Sequence, residues 1–211
     1  MTNTKRRAHP SGPLTRREKE RAIDRAERRK RQTAYHEAGH AVIAFYLFLP
    51  FRYASVKPAD GALGHVRFRK APKWAYDEYS SRPLAQRAFW ENHIIVSFAG
   101  RIAEQKYRGS RVRLGHESDY RGIADMGLRF GGDDPKVHVH WFRWLQMRAK
   151  GMVDTRWREI EAVAEALLKH ERLTRDEIQA VIDARLGLTP LKVTRAGESD
   201  ETGRASGIMR S

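Results

Sequence analysis

The chain has 211 residues, a formal charge of +15 and no cysteine. Its length suits one domain with tails and a real core. The missing cysteines exclude a disulfide framework and a thiolate metal site, so any metal must be held by His, Asp or Glu.

Residues 1–13 contain Pro10, Gly12 and Pro13 and read as an irregular start. Thr15 with Glu18 three residues later is a capping-box pattern. From there to Arg31 the chain is almost all charge and alanine, a helix with a thin apolar stripe that can run into the next one. Ala34–Leu49 has a strong helical pattern, with Pro50 as its stop. Ala54–Lys57 and Leu63–Phe68 read as two strands of a small sheet joined by turn chemistry at "ADG", and residues 71–82 as a loop. Leu84–Tyr107 is a long helix whose buried face is predicted at Ala85, Ala88, Phe89, Ile95, Val96, Ala99, Ile102 and Ala103. A basic loop at Gly109–Gly115 leads to a helix over Ser118–Phe130, ended by "GGDDP". Val137–Lys150 and Asp154–His170 follow, separated near Gly151. A last helix starts at the Thr174/Glu177 capping box and ends near Gly187. The fold class is therefore mostly α, within α+β, with one small sheet. The chain divides into a basic, partly helical arm (1–31), a folded domain (32–187) and a tail (188–211).

The longest apolar run, Ala41–Phe51, has 11 residues and contains Pro50. That is short of the roughly 20 needed to span a bilayer. No apolar segment follows the first basic residues, so no secretory signal is expected. These features predict a cytoplasmic protein without a membrane span. The positive charge concentrates in residues 1–31, with 12 Lys/Arg against 4 Asp/Glu. Such an arm suits an anionic partner, or is simply solvated.

Within "TAYHEAGHAVIAF", His36 and His40 lie four apart and present two imidazoles from one helix face. Neutral imidazole ligates zinc well, and Glu37 between them stands where a general base would act on water at the metal. Ala38 and Gly39 are small and leave room beside the metal. A catalytic zinc commonly takes a third protein ligand and keeps one position open. Glu91, Glu104, His116, Glu117 and Asp119 are the downstream candidates, with His138 and His140 more remote. Asp119 falls on the apolar face of its predicted helix with Ile123, Met126 and Phe130. It suits either a metal ligand or a carboxylate stabilised by the helix N-terminus. Glu104 is a ligand, a partner that orients a histidine, or a surface partner of Arg101 or Arg108. His138 and His140, two apart, point different ways and read as structural. His65 on the second strand either faces the cleft or is a surface residue.

The segments "TAYHEAGHAV", "SVKPADGALGHVRF", "FAGRIAEQKYRG" and "ESD", followed by "REIEAVAEALLKHERLTRDEIQAVI", together resemble the peptidase domain of the FtsH-type AAA+ zinc metalloproteases. The match runs in order over about residues 32–183. The resemblance implies a helical zinc-metallopeptidase domain whose small sheet flanks the active-site helix. It implies Zn2+ held by His36, His40 and Asp119, with Glu37 catalytic. Glu104, His116, Glu117, Gly64 and His65 are candidates for the surrounding shell or the substrate cleft. His116, Glu117 and Ser118 depart from the small residues that precede the family's aspartate. No GxxxxGK[ST] phosphate loop and no membrane segment accompany the domain.

These readings predict a stand-alone, ATP-independent zinc endopeptidase acting on unfolded or flexible polypeptides. A separate ATPase could deliver substrate, and the family's ring assembly makes a homo-oligomer a further expectation. The rival is a non-catalytic zinc-containing protein whose basic arm contacts nucleic acid or a protein partner.

Overall fold

The computed structural model describes residues 15–59, 61–77, 79, 81–110 and 134–188. Helix α1 spans Arg16–Tyr46, 31 residues in one piece, so the two helices read from the sequence are continuous across the 31/32 boundary. The predicted capping box starts it: the Thr15 side chain accepts from the Glu18 amide, and a Glu18 carboxylate oxygen accepts from the Thr15 amide at 2.8 Å. Its first half stands exposed, whereas its second half, from Ala34 to Ala44, is largely buried. Apolar contact thus anchors only the C-terminal half, and propensity with capping carries the rest.

The sheet has order β2-β1-β3, with both pairings antiparallel. Strand β1 is Phe51–Ser55, three residues earlier than the sequence suggested, and β2 is His65–Phe68. The shift follows burial: Phe51 is 1% exposed and pairs with Phe68, while Lys57 faces out. Strand β3, Arg172–Thr174, is absent from the sequence reading because three residues give no alternation to detect. Glu171 before it adopts φ 61°, which turns the chain out of the preceding helix and onto β1. Strand β2 is left at one edge of the sheet.

Helix α2 spans Pro83–Tyr107, with proline in its first turn. Its predicted buried face holds from Ile94 onward, but Ala85 and Ala88 are exposed and Gln86 is buried instead. The Gln86 amide nitrogen donates to the carbonyls of Trp74, Ala75 and Asp77. It thereby ties down the segment read as a loop, which contains a 3-10 turn at Lys73–Ala75. Helix α3 is Pro135–Thr155, α4 is Trp157–His170 and α5 is Arg175–Leu186, the last opened by the predicted Thr174/Glu177 capping box. The break expected near Gly151 lies instead at Arg156. Ala149 and Val153 flank Gly151 and are fully buried, so packing carries the helix through a residue that disfavours it by about 1 kcal/mol. The mostly helical class with one small sheet is thus borne out. The basic loop from residue 111 onward and the helix expected over Ser118–Phe130 lie outside the described residues.

Helices α1 and α2 cross at small residues. A Cβ on Gly39 would lie 2.7 Å from both the Ala103 Cβ and the Ala99 carbonyl oxygen. The smallness of Gly39 therefore serves the approach of α2, not space beside a metal. Tyr35, one turn earlier on α1, stacks on Tyr107 at 4.0 Å between centroids and backs the same crossing. Gly39→Ala should destabilise the fold by about 1–3 kcal/mol through forced separation of the two helices. Urea unfolding reads this directly, and an unchanged midpoint would show that the crossing tolerates a methyl group.

Candidate metal centre

The buried half of α1 carries His36, Glu37 and His40, and α2 supplies their partners. The His40 Nδ1 lies 2.7 Å from the Val96 carbonyl oxygen. A carbonyl can only accept, so Nδ1 carries the proton. Burial pushes the His40 pKa down to about 3, so the ring is neutral and its Nε2 offers a lone pair. The His36 Nδ1 sits 3.2 Å from Glu104 Oε2. That hydrogen bond holds the Glu104 carboxyl below its ordinary pKa, so the carboxylate accepts and His36 Nδ1 donates. Arg108 donates to the other Glu104 oxygen at 3.3 Å. Glu104 therefore takes two of the roles open to it in the sequence, orienting a histidine and pairing with Arg108.

Both remaining ring nitrogens point at one place: His36 Nε2 and His40 Nε2 are 3.0 Å apart. Two lone pairs at that distance repel unless a proton or a metal cation sits between them. Ligands at zinc's usual bond length in tetrahedral geometry would stand about 3.3 Å apart. The pair thus fits a metal by the separation of its Nε2 atoms, by the Nδ1 partner of each ring and by the neutrality of His40. Gly100 keeps this spot open. A Cβ there would fall within 2.6 Å of two carbons of the His40 ring. The sequence signal for that role was a glycine inside a strong helical pattern, which marks a close approach. Val96 is invisible to sequence reasoning because its contribution is a backbone carbonyl.

Glu37 is 5% exposed, and burial pushes its carboxyl up to about 7, against the opposing influence of His36. A group poised there exchanges a proton readily near neutrality. Gly64, just before β2, packs directly on it. A Cβ at Gly64 would lie 2.8 Å from Glu37 Cγ and 2.7 Å from Thr33 Cγ2. A cleft of ≈ 360 Å3 runs past His36, Glu37 and His40 on one side and Gly64, His65 and Phe68 on the other. His65 thus faces the cleft. Its Nε2 lies 3.3 Å from the Tyr53 hydroxyl, and its Nδ1 is buried without a partner among the described residues. His93 of α2 also lines this cleft, packed on Phe89 and Phe68 and held below its ordinary pKa by burial. Sequence reasoning passed over His93, whose aromatic neighbours resemble ordinary core.

Among the described residues, no group of three His, Asp or Glu side chains is arranged to hold a metal ion. Asp119, His116 and Glu117 lie outside the described residues. Glu91 is engaged elsewhere, accepting from Trp141 Nε1 at 3.1 Å and from Arg87. His140 is exposed on α3, and His138 shares that helix, away from the cleft.

A helical domain that presents two oriented imidazoles and a buried carboxylate beside a sheet edge has the architecture of a metallopeptidase. The chain belongs to peptidase family M41, whose family model matches residues 22–129. It is similar to the ATP-dependent zinc metalloprotease YME1L1 of Rattus norvegicus, at 29% identity over 78% of this chain and 26% of that protein. It is also similar to the ATP-dependent zinc metalloprotease FtsH of Rickettsia felis, at 38% identity over 50% of this chain and 16% of that protein. The YME1 homolog of Caenorhabditis elegans matches at 27% over 82% of this chain and 28% of its own length. The chain thus spans about a quarter or less of the length of these relatives. The resemblance to the FtsH-type peptidase domain is borne out, and membership implies zinc as the cofactor. Among the described residues, no helix is long and apolar enough to cross a membrane.

Glu104→Ala should free the His36 ring and weaken zinc binding by about 10–100-fold, with Glu104→Gln losing less. A competitive zinc titration measures this. Equal affinity in all three proteins would remove Glu104 from the site.

Proposed function

We propose that this chain is a zinc-dependent endopeptidase that cleaves unfolded or flexible polypeptides without ATP. The observation that carries the reading is the pair of Nε2 atoms 3.0 Å apart, each ring fixed through its Nδ1, beside the buried Glu37. His36 and His40 would hold the zinc, with Asp119 of "GHESD" as the third ligand. Zinc bound there supplies Lewis acidity, polarising a scissile carbonyl and acidifying water.

Glu37 takes the proton of the attacking water and returns it to the leaving amine. A carboxyl poised at about 7 suits both transfers. Substrate lies along β2. That strand ends the sheet, so its outward amides and carbonyls can pair with an extended peptide. Main-chain pairing demands little of substrate side chains but requires an unfolded segment. Gly64 lets the chain pass over Glu37 without a side chain intervening. The groups assigned to binding and proton transfer lie within this one domain, and none of them uses a nucleotide. A site kept only for structural zinc has no use for a buried carboxylate beside the ligands, which disfavours the non-catalytic reading.

Purified protein should hold about one zinc per chain and cleave unfolded casein without ATP, with the activity lost to a chelator. Glu37→Gln should retain the zinc and lose about 100-fold or more in rate. Cleavage by that variant at the normal rate would refute the mechanism.

A further inference from the structure

A second cavity, of ≈ 650 Å3, adjoins the metal cleft. It lies between the exposed half of α1 and the segment joining β1 to β2. Its floor is apolar, formed by Ala22, Ala26, Val56 and Leu63. Its rim carries Arg25, Arg29, Lys30 and Lys57, and among the described residues Glu171 is the one acid that lines it. Glu171 accepts from Lys30 at 2.8 Å and pairs with Lys57 at 3.3 Å, so a single carboxylate is shared between two lysines. Arg25 and Arg29 are exposed and form no ion pair with a described residue. Among the described residues, the lining therefore holds four cations against one anion.

The cavity is continuous with the catalytic cleft. Arg29, Thr33 and Leu63 line both it and the pocket that reaches His36 and Glu37. Ala22, Ala26, Arg29, Thr33 and Glu37 recur at helical spacing along one face of α1. Because α1 is unbroken, this face is an uninterrupted track. From Ala22 to Glu37 it measures about 22 Å at 1.5 Å per residue. An extended peptide covers that distance in about seven residues.

We propose that this groove is an extended substrate subsite that recognises acidic residues about four to seven positions from the scissile bond. The inference rests on the peptidase reading for the identity of its occupant. A chain that lies over Gly64 and continues along α1 passes Thr33 and Leu63 and then meets the guanidiniums of Arg29 and Arg25 interleaved with Ala26 and Ala22, neither guanidinium being ion-paired among the described residues. Guanidinium paired with carboxylate is favourable there, and the apolar floor adds contact that a purely electrostatic patch lacks. Sequence selection arises outside the edge-strand pairing, which by itself selects weakly.

The test uses the full chain and a fluorescent peptide of about ten residues, with acidic residues at one end, against its Asn/Gln counterpart. Anisotropy should show the acidic peptide binding about fivefold to tenfold more tightly, with the difference shrinking as salt rises. Arg25→Ala with Arg29→Ala should bring that ratio towards one, and Leu63→Ser should weaken both peptides. Arg17→Ala with Arg28→Ala removes equal charge from α1 outside the groove and should leave the ratio unchanged. Equal binding of the two peptides, equal loss from both double variants, or tighter binding of a single-stranded oligonucleotide lost with Arg25 and Arg29 would overturn the proposal. Cleavage of the same peptides separates the two readings. Cleavage of both with no acidic preference sinks the subsite alone, whereas groove-dependent binding without zinc-dependent cleavage sinks the peptidase reading.

Discussion

Everything at the centre depends on two Nδ1–H groups that are already committed. Val96 takes one through its backbone carbonyl and Glu104 takes the other through its carboxylate, so each imidazole has a single free nitrogen and both point at one spot. Neither acceptor is on α1. The helix carrying the histidines supplies spacing alone; orientation comes from α2. This is why the crossing of the two helices is built from Gly39, Ala99, Gly100 and Ala103, residues small enough for backbone to approach backbone. A wider crossing would leave the same histidines on the same helix but free to rotate.

The same closeness sets the electrostatics. His40 is neutral because α2 strips it of water, and a neutral ring is what a cation needs as a ligand. Glu37 is desolvated from the other side, where Gly64 brings the strand connection onto its side chain. Two helices and one sheet edge therefore enclose a buried carboxylate, a pair of oriented imidazoles and an open cleft, while the basic half of α1 extends from it as a solvent-exposed track. Placing substrate along β2 and then along α1 would use both features of this layout.

Much of this was legible in the sequence. Two histidines and a glutamate at helical spacing, followed by a proline stop, describe the second half of α1, and both capping boxes appear where Thr15/Glu18 and Thr174/Glu177 put them. Local signals failed where the cause was tertiary. Ala85 and Ala88 fit the helical period yet are exposed, because Gln86 is drawn inward by three carbonyls of the segment before it. Gly151 looked like a break, but its buried neighbours outweigh its propensity. Strand β3 exists because β1 offers it an edge, and no three-residue pattern announces that. In the site, the carbonyl of Val96 could not be read from side chains, and Gly100 was visible only as a glycine in an unexpected place.

Imidazole nitrogen NMR on uniformly 15N-labelled protein tests the central claim most directly. On adding one equivalent of zinc, the Nε2 resonances of His36 and His40 should move together to metal-bound positions while both Nδ1 atoms keep their protons. A response from only one ring, or a proton retained on either Nε2 in the zinc-loaded protein, would contradict the account.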